Sequence, residues 1–292
     1  MKIKDRTTNK ITNKKNTLGV TILYKTFIGR IILNIIVKPW FTKLSGYFMN
    51  SRLSNIISLL LIKKYNINKE EYISTKFKSY NDFFTRKRKT NYLNIDTNPN
   101  NLIAPADSKL MVYNIKSSNE FKIKDSYYSV YDLLDGNSIS EEYDNGKILI
   151  FRLEINDYHR YCYIDNGTKG VNIYIKGVFH TVRNIALKKY NIYKKNAREY
   201  TIMNTENFGQ VIEIDVGAMI VGRIKNHHGD YKFTKGEEKG YFEFNGSTIV
   251  LLFKKGYIDI DKDILINSKN GIETIVKYGE KIGTKKRISK KS

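Results

Sequence analysis

Four histidines are the side chains of this chain that titrate nearest neutrality, so they are the first candidates for acid–base work. His159 stands in Asp157-Tyr158-His159-Arg160, directly after an expected strand. His180 follows Gly177-Val178-Phe179, late in the next one. His227 and His228 share a glycine turn with Asp230. That pair lacks the i,i+4 helical spacing of a zinc site and has no clear third ligand, which points to a structural or surface role and to no metal. Among nucleophiles, Ser247 lies in Asn245-Gly246-Ser247-Thr248. A serine hydrolase needs Gly-x-Ser-x-Gly between strand and helix; here no second glycine follows, and Ile249–Phe253 is a strand pattern. Taken alone, the tetrapeptide is a hairpin turn. The single cysteine, Cys162, excludes an intramolecular disulfide and a Cys-only zinc site, and fits a reducing compartment. No glycine-rich phosphate or dinucleotide loop occurs in a strand–helix context, so nucleotide chemistry is not indicated.

The elements that must position these groups are short β-rich runs: Lys147–Leu153, Val171–Val182, Gln210–Ile224, Tyr241–Phe244 and Thr248–Phe253, separated by turns such as Asp165-Asn166-Gly167. A helical part precedes them. Leu18–Val37 is rich in Leu, Ile and Phe, but Lys25 and Arg30 interrupt it and Pro39 closes it, so no unbroken apolar run is long enough to span a bilayer. Ser51–Tyr65 is also aliphatic and ends on Lys63-Lys64. Both segments read either as core helices or as helices lying in a membrane surface, apolar side in the lipid and lysines on the headgroups. The neighbouring basic residues favour the membrane. The pattern is α+β, with N-terminal amphipathic helices followed by a mostly antiparallel, β-rich catalytic core. Residues 1–16 read as a basic mobile arm, 17–90 as a helical membrane-associating region and 91–292 as the core, with Asn91–Asn101 the candidate hinge. The net charge of +22 favours an anionic surface, nucleic acid or acidic lipid, unless it only reflects a lysine-rich composition spread over solvated faces.

Read in order, the chain contains Tyr80-Asn81-Asp82-Phe83-Phe84-Thr85-Arg86, Pro105-Ala106-Asp107-Ser108, Asp157-Tyr158-His159-Arg160, Asn196-Ala197-Arg198-Glu199 and Val216-Gly217-Ala218-Met219-Ile220-Val221-Gly222. Last comes Lys235-Gly236-Glu237-Glu238-Lys239-Gly240-Tyr241-Phe242, running into Gly246-Ser247-Thr248. Each motif is weak alone. As an ordered series they resemble the phosphatidylserine decarboxylase proenzymes, particularly the clostridial-type bacterial branch. The resemblance implies self-cleavage between Gly246 and Ser247 into a β chain, 1–246, and an α chain, 247–292. Ser247 would attack the preceding carbonyl, and elimination and hydrolysis would turn it into a pyruvoyl cofactor that forms a Schiff base with the substrate amine. It further implies that Asp107 helps the serine attack, although Ser108 stands where glycine is usual, and that His159 protonates the product carbanion. The family's second histidine, associated with self-cleavage, is replaced here by Cys162, a poor base at neutral pH. His180 or His159 is expected to take that role.

If Asn166-Gly167 makes a two-residue hairpin, His180 falls opposite Leu153 rather than Cys162, and reaches the site only if Asp157–Tyr163 folds back. Arg183 and Arg198 are candidates for the substrate phosphate. The implied function is decarboxylation of phosphatidylserine to phosphatidylethanolamine and carbon dioxide by a peripheral enzyme on the cytoplasmic side of the cell membrane. Its partners would be anionic membrane, the sister chain of the same precursor and a possible second copy, with no nucleic acid. The alternative is a homologue that no longer matures and binds anionic lipid or nucleic acid.

Overall fold

Alternation of apolar residues explains the centre of the molecule. In Thr248–Phe253 every residue is buried; Ile249, Leu251 and Phe253 join Leu149 and Phe151 on one face, while Val250 and Leu252 join Ile148 and Ile150 on the other. A strand buried on both faces belongs in the middle of a sheet. The computed structural model describes residues 1–15, 17–123, 126–181, 192–218, 223–244 and 247–286, and in it this strand pairs antiparallel with Gly209–Val216 and with Lys147–Arg152. The eleven-stranded sheet continues outward through Arg198–Thr205 on one side. On the other it runs through Ser108–Asn114 and Ile272–Val276. The fold is thus α+β with mostly antiparallel sheets and helices gathered at the N-terminus, as the sequence implies. A second, three-stranded sheet joins Ile224–Asn226, Glu238–Phe242 and Arg160–Cys162.

Four sequence expectations are corrected. Residues 1–16 are not a mobile arm: Lys2–Asp5 and Ile11–Asn13 form a hairpin, and the first of these pairs parallel with Ile272–Val276. Arg6 fastens it through Asp261, Asp263 and Glu280. Asn166-Gly167 does not fold Arg160–Cys162 onto the following strand; Gly167–Lys169 pairs instead with Arg198–Thr205 and Tyr231–Phe233. Of the run Val171–Val182, only Ile173–Ile175 is strand, and Val182 lies outside the described residues. Asn91–Asn101 is pinned rather than hinged, because Leu93 and Ile95 pack on the core and the Asp96 N–H donates to the Gly279 carbonyl at 3.0 Å.

The helical part is a layer against this core. Helix α1, Leu18–Lys25, and α2, Phe27–Ile36, meet at a 99° bend. Thr26 causes it: extended backbone there ends α1, and its hydroxyl accepts the Gly29 N–H at 3.0 Å to cap α2. Pro39 opens α3, Pro39–Asn50, at a position where its missing N–H costs nothing. Then α4, Asn55–Tyr65, and α5, Tyr80–Phe84, follow. Phe77, Tyr80, Phe83 and Phe84 pack against Met49, Ile57 and Leu61, each buried aromatic ring contributing roughly 1.5–3 kcal/mol. No single described helix is long and apolar enough to cross a membrane.

Candidate active site

Ser247 sits at the head of the central strand, fully buried, and its Oγ has no hydrogen-bond partner among the described residues. Such an orphaned hydroxyl is uncommon in a packed interior and calls for an explanation. Its own carbonyl accepts the Leu153 N–H at 2.8 Å, which sets Ser247 beside the end of Lys147–Arg152. The next residue, Glu154, turns the chain into the loop that carries His159.

That loop is held from several sides. Asp157 accepts the Glu154 N–H at 2.7 Å, and both its carboxylate oxygens take Lys109 Nζ at 2.7 and 2.6 Å. Arg86, itself buried, donates to the Phe83 and Asp157 carbonyls and lies over the Tyr72 and Phe83 rings. Phe84 stacks on His159 with ring centroids 3.9 Å apart. The imidazole is fully buried, and its Nε2 is 2.9 Å from the Glu154 carbonyl oxygen. A carbonyl only accepts, so Nε2 carries the ring proton and Nδ1 is a bare lone pair. Nδ1 is buried and unpartnered, like Ser247 Oγ. Burial first, then the neighbouring Arg86 cation, push the His159 pKa down to about 3, so the ring is neutral at physiological pH.

His180 approaches the same strand end from the other side. Val216 pairs with Thr248, which makes Gly217 the next residue beside Ser247. Asn196 Nδ2 donates to the Gly217 carbonyl at 2.7 Å and to the His180 carbonyl at 2.8 Å, while its Oδ1 accepts the His180 N–H at 3.0 Å. The helical layer completes the clamp. Phe179 N–H donates to the Val37 carbonyl at 2.9 Å, and Tyr24 Oη accepts the Thr181 N–H at 3.1 Å and lies 3.2 Å from His180 Nδ1. Burial, with Lys195 adding to it, lowers the His180 pKa to about 4. His180 is therefore brought to the Ser247 end of the sheet through Asn196, not through the hairpin expected from Asn166-Gly167.

The remaining expected residues make other contacts. Asp107 is buried. Its carboxylate takes Arg88 Nη2 at 2.8 Å and the Tyr278 N–H at 2.9 Å, and although burial opposes it, Arg88 holds the acid below its ordinary pKa. Among the described residues no hydrogen bond joins it to Ser247 or His159. Cys162 lies in the hydrophobic core, where burial drives its thiol far above the usual range despite an interaction with Tyr278. It is not a usable base. Arg198 is 2% exposed and donates to the backbone carbonyls of Leu133, Asp132, Lys194 and Asn196, so it ties strand to helix and is not a phosphate ligand. Arg183 and Gly246 lie outside the described residues. His227 pairs with Glu238 at 2.8 Å, and His228 stacks on Tyr231.

Three features escape sequence reading. Phe84 and Arg86 stand in a motif with no catalytic residue type, and Tyr24 lies in a helix with no motif at all. Phe244 has φ +79°, a left-handed conformation that costs a bulky residue roughly 1–3 kcal/mol, three residues before Ser247. A cleft of about 300 Å³ lies between α3 and Phe179, Arg223 and Phe244.

Residues 80–284 match the family model described as phosphatidylserine decarboxylase. The phosphatidylserine decarboxylase proenzyme 2 of Clostridium acetobutylicum is 48% identical over 262 residues, covering 89% of this chain and 90% of the relative. The proenzyme of Clostridium botulinum strain Hall is 43% identical over 269 residues, covering 90% and 91%. That of Clostridium tetani is 41% identical over 253 residues, 85% of each.

Proposed function

We propose, because the chain belongs to the phosphatidylserine decarboxylase family, that it reaches its active form by cutting itself between Gly246 and Ser247. The chain is an enzyme, a decarboxylase, and phosphatidylserine is the substrate its family supports. The observation that carries the cleavage reading is that two buried atoms, Ser247 Oγ and the bare Nδ1 of His159, are each left without a hydrogen-bond partner among the described residues. Ser247 Oγ bonds to the Gly246 carbonyl carbon, its proton passes to Nδ1, and the Gly246–Ser247 C–N bond breaks to leave an ester and an amine. The imidazolium so formed gives the proton to the departing amine. Strain at Phe244 raises the energy of the uncut loop and is released by cleavage. Loss of the Ser247 Cα proton then expels the Gly246 carboxylate, and water replaces the residual nitrogen, released as ammonia.

A pyruvoyl group fits the position, since Ser247 is buried and its oxygen has no competing partner among the described residues. It supplies an electron sink for the bond to the substrate's departing carboxylate. We assign to His159, braced by Phe84 and Glu154, the delivery of a proton to the product carbon, through Nδ1 once that nitrogen has taken one up. His180, held beside the same strand end by Asn196 and Tyr24, is our second candidate for acid–base work there.

The membrane part of the reading rests on the helical layer. Leu18, Phe27 and Leu53 are 77%, 73% and 78% exposed, and Ile28, Trp40, Leu44, Tyr47, Ile56 and Leu60 are exposed with them. Lys25, Arg30, Lys38, Lys63 and Lys64 lie on the same layer, also exposed. Apolar side chains bordered by cations suit an anionic bilayer surface. The enzyme thus works peripherally, on the cytoplasmic face. The reading of a non-maturing binding protein rested on Cys162, and the buried thiol adds nothing to it. Intact mass tests the proposal: purified protein should give the chain 1–246 and a chain 247–292 blocked by pyruvoyl. A single uncut chain with no decarboxylase activity would overturn it.

A further inference from the structure

We infer that the cleft beside α3 holds the phosphate diester of the phospholipid, gripped by Thr42, Lys43 and Arg223; this rests on the proposed function and deepens it. Thr42 lines the cleft, is 7% exposed, and its Oγ1 has no partner among the described residues. Helical threonines usually satisfy the hydroxyl on the carbonyl one turn back. Thr21 and Thr26 do so here, on Thr17 and Ile22, at 3.0 and 2.9 Å. Thr42 does not, although the Lys38 carbonyl stands at that place. Its donor is left for something that enters the cleft.

Two cations line the same cleft. Among the described residues Lys43 forms no ion pair, and the Arg223 guanidinium pairs only with Glu243, at 3.9 Å, beyond hydrogen-bond reach. A planar guanidinium, an ammonium and a hydroxyl together suit a tetrahedral oxyanion. Apart from Asn50, the rest of the wall is apolar or aromatic, with Pro39, Phe179 and Phe244 among it, which suits a glycerol backbone rather than a free sugar phosphate. A volume of about 300 Å³ accommodates a headgroup and its glycerol but not two acyl chains. The chains have somewhere to go, because the outer side of α3 carries exposed Trp40, Leu44 and Phe48. The cleft borders the segments that carry the chemistry, since Phe179 precedes His180 and Phe244 lies three residues before Ser247. A beta carbon on Gly46 would come within 3.4 Å of the Phe244 ring, so α3 sits directly on the segment leading to Ser247.

The test uses the matured enzyme, checked by intact mass, and a short-chain, water-soluble phosphatidylserine, so that vesicle binding does not enter. Lys43→Ala with Arg223→Ala should raise KM about a hundredfold, roughly tenfold per cation, with kcat within about twofold. Thr42→Val should raise KM about threefold to tenfold. Lys43→Arg and Arg223→Lys should restore most of the loss, which a packing defect would not allow. Inorganic phosphate should raise the apparent KM of the wild type and not of the double variant. An unchanged KM in a fully cleaved double variant, or equal inhibition of both proteins by phosphate, overturns the inference and leaves the proposed function standing. A wild-type chain that stays whole and inactive overturns both.

Discussion

Shifting a maturing precursor from about pH 7.5 to about 5 separates a buried imidazole base from an ordinary one. An unperturbed imidazole, with a pKa near 6.5, is about nine-tenths neutral at the higher pH and about 3% neutral at the lower, so cleavage through it would slow roughly thirtyfold. His159 is different. Desolvation, with Arg86 behind it, brings its pKa to about 3, so the ring stays neutral across the range. His180, at about 4, also stays mostly neutral. Cleavage should therefore change by less than about twofold. The assay is a pulse of precursor made in a cell-free extract, shifted in pH, with conversion to two chains followed on a denaturing gel. His159→Gln keeps an N–H for the Glu154 carbonyl but removes the basic nitrogen, and should slow cleavage by about 10²- to 10⁴-fold. Cys162→Ala should mature at the wild-type rate, because the thiol is buried in the core. A thirtyfold fall tracking a pKa near 6.5, or normal maturation of His159→Gln, would refute the reasoning.

The same low pKa values make the fold sensitive to acid. Both histidines are lowered when folded, so the unfolded chain binds two protons below about pH 6.5 that the native state refuses. Stability is full above that pH and is lost as pH falls towards the folded values of about 3 and 4, at roughly 1.4 kcal/mol per pH unit for each ring. In an uncut Ser247→Ala precursor, urea unfolding at about pH 5 should give about 4 kcal/mol less than at neutrality from this pair, with His159→Gln abolishing about half; parallel curves for the two proteins would rule it out. Tyr24→Phe removes the hydroxyl that holds both His180 Nδ1 and the Thr181 N–H, and should lower unfolding stability by about 1–3 kcal/mol in the same titration. No loss there would mean that the helical layer does not brace His180.

Much of the site was legible because its chemistry depends on residue type and order along the chain. Ser247 after a glycine, Asp107 after Pro-Ala, and His159 after Asp-Tyr are local facts, and so is the replacement of a histidine by Cys162. Periodicity likewise marks Thr248–Phe253 as strand, since a run of aliphatic residues bounded by turns has few other uses. What local pattern cannot carry is pairing. Gly167 reads as the tip of a hairpin, yet its strand pairs with Arg198–Thr205 and Tyr231–Phe233, because the long Arg198–Thr205 and Gly209–Val216 strands bury more apolar surface than that local turn could. The basic N-terminus looks mobile by composition, but Arg6 finds three carboxylates contributed from more than 250 residues away. Arg198 looks available and is used up on carbonyls, for the same reason: a buried guanidinium takes whatever acceptors the fold presents.

By itself, then, the sequence determined the reactive groups, the α+β class and the apolar helices, since these follow from residue chemistry and short-range periodicity. Only the tertiary structure decided which atoms those groups offer each other. His159 presents a bare Nδ1 because a carbonyl five residues back claims Nε2, and His180 Nδ1 meets the hydroxyl of Tyr24, on a distant helix. Tautomer and proton affinity are set by what surrounds a ring in space, and burial against Phe84 and Arg86 is a property of the packed chain rather than of its order.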